Sequence, residues 1–184
     1  MAESRYEKYI CRLPAVMNEG ADGSVGELVP SKITPETVRT GVVEAGKIID
    51  TGPMVWCSKT HFAEATEVVE SGLITGDCLV RVPPHKHATY NELFMFLGTN
   101  PDDPLDLGAE ATFWLGEDDE LEGVKLTTTA SVFVPAGIAH FPIEWKNVKR
   151  PCVFIVVMFN QLERVLVPVS MKGRPPIDDS SRVG

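Results

Sequence analysis

Three of the four histidines in this 184-residue chain fall at spacings that could bring their side chains to one point. His85 and His87 form a His-x-His pair, and in a β-strand residues i and i+2 point to the same face. Glu92 opens the next apolar run, so a reversal after the pair would return its carboxylate to the two imidazoles. His140 follows the segment VPAGIA, whose proline and glycine predict a tight turn before the chain resumes as a strand.

Three imidazole nitrogens and one carboxylate oxygen suit a divalent transition metal that keeps coordination positions open. Imidazole and carboxylate bind Fe, Mn, Ni, Zn, Co and Cu, so the sequence predicts one divalent metal per chain without choosing the element. The competing interpretation is that these histidines are ordinary core or surface residues. One spacing pattern explains three of them together, which favours the metal. The fourth, His61, is expected at the surface or an edge, with proton transfer at the site as the alternative.

Three more side chains are candidates for catalytic roles. Along CLVRVPPH, period two places Arg81 on the face of His85, where a guanidinium could hold an anionic substrate group; the alternative is a rim residue or an ion pair. Tyr90 lies in the turn between the ligands and could donate a hydrogen bond to a bound oxygen, or be exposed. Glu144 has the parity of His140 and could support a ligand or act as a general base, or be a surface carboxylate.

The scaffold that positions these residues is predicted to be all-β. From residue 42 onward, runs of strand length alternate with turn clusters, which is typical of an antiparallel sandwich or small barrel. Phe94 and Phe96 share the parity of Glu92 and should line the interior. The segment HFAEATEVVESG is either a helix ending at Gly72 or strand and loop, and the acidic run GEDDELEG is expected to be a solvated hairpin turn. The predicted strands are VVEAGKIID, MVWCSKTHF, CLVRV, ELFMFLG, AEATFWLG, KLTTTASVFVP, CVFIVVMF and RVLVPV.

Length and turn content predict one domain with tails. We expect an irregular N-terminal arm over residues 1–41, a β-barrel over 42–170 and a polar C-terminal tail over 171–184 that frays. The arm is long enough to pair with a neighbour, and exposed sheet edges need covering, so a homodimer is expected.

Charge and composition narrow the partners. The net charge of −9 would repel a nucleic-acid backbone or an anionic membrane, so neither is expected as a main partner, and a small-molecule substrate at the metal site is expected instead. The N-terminus has no basic start and apolar middle, and the four cysteines are widely spaced. Both features favour a cytoplasmic location with reduced thiols.

The metal-ligand pattern resembles the cupin superfamily. The segment from His85 to Glu92 is similar to the first cupin motif, with Gly98 at the closing glycine one residue early, and the segment from Pro135 to His140 is similar to the second. The resemblance implies a double-stranded β-helix, or jelly-roll barrel. It also implies that the metal ligands are His85, His87, Glu92 and His140. The motif positions that depart from the family pattern are Leu79, Thr129 and Glu144.

Within the superfamily the chain resembles single-domain bacterial cupins, whose reactions differ widely. The resemblance favours a dioxygenase-type oxidoreductase acting on a small anionic or enolic compound. A redox-neutral lyase, decarboxylase or isomerase is the alternative enzyme. A non-catalytic cupin that binds metal or a small ligand is the alternative outside enzymes.

Overall fold

The computed structural model describes residues 9–10, 15–17, 54–57, 62, 64–80, 82–161 and 165–176. Regular structure in these residues is mostly strand, with a 3-10 turn at Asp118–Glu120. Nothing helical in the described ranges is long and apolar enough to span a bilayer. The strands are β1 Ala15–Met17, β2 Met54–Cys57, β3 Val68–Ile74, β4 Cys78–Val80, β5 His85–Lys86, β6 Glu92–Leu97, β7 Asp106–Leu115, β8 Glu122–Thr128, β9 Ala130–Val134, β10 His140–Lys146, β11 Cys152–Met158 and β12 Val167–Pro168.

The strands form two antiparallel sheets. The first sheet has the order β1-β2-β3-β11-β6-β9, and the second has the order β12-β5-β10-β7-β8, with β4 also paired to β10. Consecutive strands repeatedly fall in different sheets, as in a jelly roll. The predicted all-β jelly-roll class is therefore confirmed.

Aromatic side chains fill the space between the sheets. Buried and partly exposed residues alternate along β6 and β11, so each strand gives one face to the core. Phe94 and Phe96 are fully buried, as predicted. Phe96 of the first sheet lies 5.5 Å from Trp145 of the second, and Phe94 lies 4.8 Å from Phe113, measured between ring centroids. Each such ring contributes about 1.5–3 kcal/mol by leaving water, which joins the two sheets.

The predicted single strand KLTTTASVFVP is in fact two strands in different sheets. β8 pairs with β7 and β9 pairs with β6, and the chain crosses between the sheets at Thr129. The Thr129 hydroxyl donates to the carbonyl of Pro104 at 2.8 Å and accepts from the N–H of Gly98 at 3.1 Å. The sequence does not predict this crossing, because most residues of the segment favour strands and Thr129 is as compatible with a strand as with a corner.

The helix alternative for HFAEATEVVESG is wrong, and the strand-and-loop alternative is confirmed. β3 continues through Gly72 to Ile74 and pairs along its whole length with β11. Alternating burial of Val68 and Glu70 with exposure of Val69 is the period of a strand. The predicted strand VVEAGKIID and His61 lie outside the described residues.

Described segments from the predicted arm and from the region after β11 add to the barrel. Within the predicted arm, β1 forms the edge of the first sheet by pairing with β2. The acidic run forms the turn of the β7–β8 hairpin, with its 3-10 segment unburied, as predicted. The expected fraying of the tail is wrong for residues 171–176, because Arg174 is only 7% exposed.

Candidate metal centre

The four predicted ligand side chains meet between the two sheets. His85 and His140 lie directly opposite each other on β5 and β10, and Glu92 reaches them from β6 of the facing sheet. One ring nitrogen from each of the three histidines lies within 4.8 Å of the others. All four side chains belong to residues that are 4% exposed or less.

A tight turn joins the two distant ligand segments. Gly137 has φ +89°, a backbone conformation that favours glycine, and its N–H donates to the carbonyl of His87 at 2.7 Å. The side-chain carbonyl of Asn91 accepts the N–H of Ala136 in the same turn at 2.9 Å. These bonds hold the turn before His140 against the strand end that carries the histidine pair.

Each histidine has one ring nitrogen committed to a backbone carbonyl. His85 Nδ1 contacts the carbonyl of Pro83 at 2.7 Å. His87 Nδ1 contacts the carbonyl of Val165 at 3.1 Å, and His140 Nδ1 contacts that of Ile138 at 3.1 Å. A carbonyl can only accept, so Nδ1 carries the proton in every case. In the neutral form of each ring Nε2 then keeps a lone pair, which is the arrangement that metal-ligating histidines use.

Lone pairs crowd together at the centre of the cluster. The Nε2 atoms of His85 and His87 are 3.2 Å apart. Glu92 Oε2 lies 2.8 Å from His140 Nε2, yet neither atom makes a hydrogen bond within the described part of the chain. Buried polar atoms without partners are costly, and a cation among them would satisfy all four groups. The donor set and its orphaned atoms therefore fit a divalent metal.

The charges at the centre suit a cation. Burial and the neighbouring His140 lower the pKa of His85 to about 3, so its imidazole is neutral at pH 7. Burial opposes ionisation of Glu92, but contacts with His140 and then His87 outweigh it and lower the pKa of Glu92 to about 2. Neutral imidazole and ionised carboxylate are the protonation states that bind metals.

Aromatic rings surround the cluster. Phe141 stacks on His85 with ring centroids 5.5 Å apart, and Tyr90 stacks on His87 at 4.1 Å. Phe94 lies 5.5 Å from His140. These walls fix the imidazole planes and lower the local dielectric, which strengthens electrostatic interactions at the centre.

Tyr90 lies at the cluster, buried, with its hydroxyl oxygen 3.3 Å from His87 Nε2. Gln161, which sequence reasoning missed, is 6% exposed and donates from Nε2 to that hydroxyl at 3.3 Å. Gln161 follows β11 and stands far from the motifs in sequence, so no local pattern marks it.

Glu144 lies apart from the cluster. The β7–β10 register shifts between His140 and Ile143, which turns Ile143 and Trp145 inward and Glu144 outward. Its carboxylate contacts Lys146 Nζ at 2.9 Å instead. The prediction that Glu144 points to the same side as His140 is therefore wrong, because the register shifts by one residue between them. Arg81 lies outside the described residues.

Paired antiparallel sheets enclose three histidines and one glutamate, which is the arrangement that the resemblance to the cupin superfamily predicts. No protein-family model and no curated protein matches the chain in sequence.

Solved structures overlap the chain at low identity. An oxalate oxidase shares 15% identity over 90% of this chain and 85% of its own, with a TM-score of 0.46. The capsular polysaccharide assembling protein CapF from Staphylococcus aureus shares 19% over 64% of this chain, with a TM-score of 0.44. Oxalate decarboxylase from Bacillus subtilis shares 15% over 69%, with a TM-score of 0.47. The chain spans 29% of the length of CapF and 30% of the decarboxylase, so substrate and reaction do not follow from these overlaps.

Proposed function

We propose that this chain is a metal-dependent cupin enzyme acting on a small organic substrate. The observation that carries the proposal is the set of three Nε2 lone pairs and one carboxylate aimed at a single buried point. Because each Nδ1 is bonded to the backbone, the three rings cannot turn their N–H groups inward to relieve the repulsion. The proposed ligands are His85, His87, Glu92 and His140.

A bound divalent metal would supply a Lewis acid with open positions for substrate and, for a redox-active element, for O2. The chain itself supplies the dry surroundings. Phe94 and Phe141 exclude water beside the ligands. The near-complete burial of the four ligand residues favours a small substrate that chelates through oxygen atoms.

Tyr90 is the proposed proton or hydrogen-bond donor. Gln161 donates to the Tyr90 oxygen at 3.3 Å, and the same oxygen lies 3.3 Å from His87 Nε2. The Tyr90 hydroxyl therefore lies beside a proposed metal ligand, at a position from which it could donate to an oxygen of a bound substrate.

For the reaction, we favour a dioxygenase on an anionic or enolic compound, as the family resemblance suggested. The Tyr90–Gln161 pair supports the redox-neutral alternative equally, because a lyase or isomerase needs a positioned proton donor near a metal-stabilised enolate. An anion-holding role for Arg81 remains a prediction from the sequence.

The test combines metal content with a substrate panel. Protein reconstituted separately with Fe, Mn, Co, Ni, Cu and Zn is incubated with small enols, catechols and 2-oxo acids, with and without O2. Turnover that requires O2 and consumes it supports the dioxygenase, and an equal rate without O2 supports the redox-neutral enzyme. Ligand binding without turnover by any metal form would leave only a binding protein and overturn the enzyme proposal.

A homodimer and a cytoplasmic location also remain proposals. β1 forms an edge of the first sheet, and Leu73 and Phe133 of that sheet are each more than half exposed, which supports association with a second copy. Elution as a monomer at all concentrations tested would remove the dimer.

A further inference from the structure

The segment after β11 returns to the ligand cluster and touches it at several points. We call residues 165–174 the C-terminal brace. The Val165 carbonyl accepts from His87 Nδ1, and Pro168 of β12 lies opposite His85. The N–H of Val169 donates to the carbonyl of Pro84 at 3.1 Å. Two of the four proposed ligands are therefore held from outside the motifs that carry them.

Arg174 ends the brace with a buried guanidinium. Its Nε donates to the carbonyl of Phe141 at 3.0 Å, its Nη1 donates to the carbonyl of Ser170 at 2.8 Å, and its Nη2 donates to the carbonyl of Gly116. Burying a charge is costly, and burial lowers the pKa of Arg174, while Glu117 and Asp118 nearby favour the charged form. Because burying the Arg174 guanidinium is costly, we expect it to make contacts that a neutral side chain could not make.

Two of the three carbonyls that Arg174 binds, those of Phe141 and Gly116, belong to the chain segments around His140. Phe141 follows His140 directly, and its ring stacks on His85. Gly116 follows Leu115, the residue paired with His140, and the Gly116 N–H donates to the carbonyl of Ala139 at 2.8 Å. Arg174 thus joins β10 to the end of β7 where His140 starts.

A tight turn brings Arg174 to this position. The N–H of Arg174 donates to the carbonyl of Met171 at 3.0 Å, and Gly173 has φ +83°. Residues with a Cβ rarely adopt this positive φ, so a larger residue at Gly173 would strain the turn, and its Cβ would also come 2.9 Å from Leu121 Cδ2.

We infer that Arg174 is a positioning residue for the metal centre, acting on His140 through the Phe141 and Gly116 carbonyls. The inference rests on the proposed function, since it concerns how tightly a metal is held. Removing a residue that orients a metal ligand typically lowers the affinity for the metal about 10- to 100-fold. A fork that binds three carbonyls at once cannot be replaced by the single ammonium group of lysine.

The test is a titration of metal-free full-length protein with Co²⁺, followed by its visible absorption bands. The variants are Arg174→Met and Arg174→Lys, with Gly173→Ala to displace the turn while keeping the charge. Lys172→Met is the matched control, because it removes one exposed positive charge two residues away. All proteins are compared well below their unfolding temperatures.

We expect both Arg174 variants to bind Co²⁺ about 10- to 100-fold more weakly, with shifted absorption bands, and Gly173→Ala to change in the same direction. Lys172→Met should match the parent. A purely structural role for Arg174 would lower the unfolding temperature and leave the bands unmoved, and that result would overturn the inference. Failure of the parent protein to bind Co²⁺ or any other divalent metal would instead overturn the proposed function. If Arg174→Met does not fold, unchanged affinity and bands in Arg174→Lys and Gly173→Ala together would overturn the inference.

Discussion

His85 and His140 lie directly opposite each other on paired strands, with their ring centroids 4.5 Å apart. One comes from the His-x-His segment and the other follows the turn at Gly137, so backbone pairing brings the two halves of the donor set together. β5 is only two residues long, and β12 and β10 flank it. The position of the histidine pair therefore depends on strands that are distant in sequence.

Replacing a proposed ligand should abolish metal binding. We expect His140→Ala and His85→Ala each to reduce metal content from close to one per chain to near zero, because the three remaining ligands cannot hold the ion as four do. Elemental analysis after reconstitution and desalting is the measurement. His61→Ala, which removes the histidine outside the motif, is the control. Stoichiometric metal in His140→Ala would contradict the assignment.

Acidification should destabilise the metal-free protein. The pKa of His85 falls from 6.5 to about 3 on folding. Below pH 6.5 the unfolded chain therefore binds a proton that the folded chain does not bind, which favours unfolding. The pKa of Glu92 falls from 4.5 to about 2, so its contribution to stability is present above pH 4.5 and is lost toward pH 2. Both effects have the same sign, at up to about 1.4 kcal/mol per pH unit for each proton.

Urea unfolding between pH 7 and pH 4.5 measures the His85 part of this loss. The His85→Gln variant, which cannot take up that proton, is expected to show a shallower slope over the same range. A free energy of unfolding that is independent of pH in the parent protein would refute the prediction.

Removing the Tyr90 hydroxyl should impair turnover without releasing the metal. For whichever panel substrate is turned over, we expect Tyr90→Phe to lower kcat by about 100-fold or more, since a positioned proton donor typically contributes that much. Gln161→Leu should have a smaller effect in the same direction, because the hydroxyl remains but loses its orienting partner. Metal content should stay unchanged in both. Tyr9→Phe, at a residue that is 60% exposed, serves as the control, and an unaltered kcat in Tyr90→Phe would exclude the donor role.

The glycine that closes the first motif should be sensitive to a single added carbon. A Cβ at Gly98 would come 1.9 Å from the backbone oxygen of Asp106, so Gly98→Ala must displace a strand and should cost about 1–3 kcal/mol or more. Nothing lies within 4 Å of a Cβ at Gly76, and Gly76→Ala is expected to be neutral or slightly stabilising. Denaturant midpoints compare the two. Equal losses of stability would show that the close approach at Gly98 can relax.

Local sequence was enough for features with a short period or a fixed spacing. Alternation along β6 predicted that Phe94 and Phe96 point inward, and the proline and glycine before His140 predicted the turn that Gly137 makes. The His-x-His spacing, joined to the turn, was sufficient to expect that the imidazoles converge.

Features that depend on long-range pairing were not visible in the sequence. The irregularity between His140 and Ile143 shifts the register of β10, so Glu144 does not point to the side that strict alternation from His140 predicts. Nothing in the sequence marks this shift. Thr129 suits a strand and a corner alike, and only the partners of β8 and β9 separate them. Gln161 and Arg174 lie in segments of polar or turn-like composition, and their contacts exist only once the barrel has closed.

The deep burial of the proposed ligands has a consequence for how the chain would acquire a metal. An ion held by side chains that are 4% exposed or less would exchange slowly, because the surrounding rings and the brace must open first. We therefore expect the bound element to be set during biosynthesis, by what is abundant as the chain closes, rather than by competition afterwards. Growth medium supplemented with one metal at a time should give protein that retains that metal through prolonged dialysis against the others.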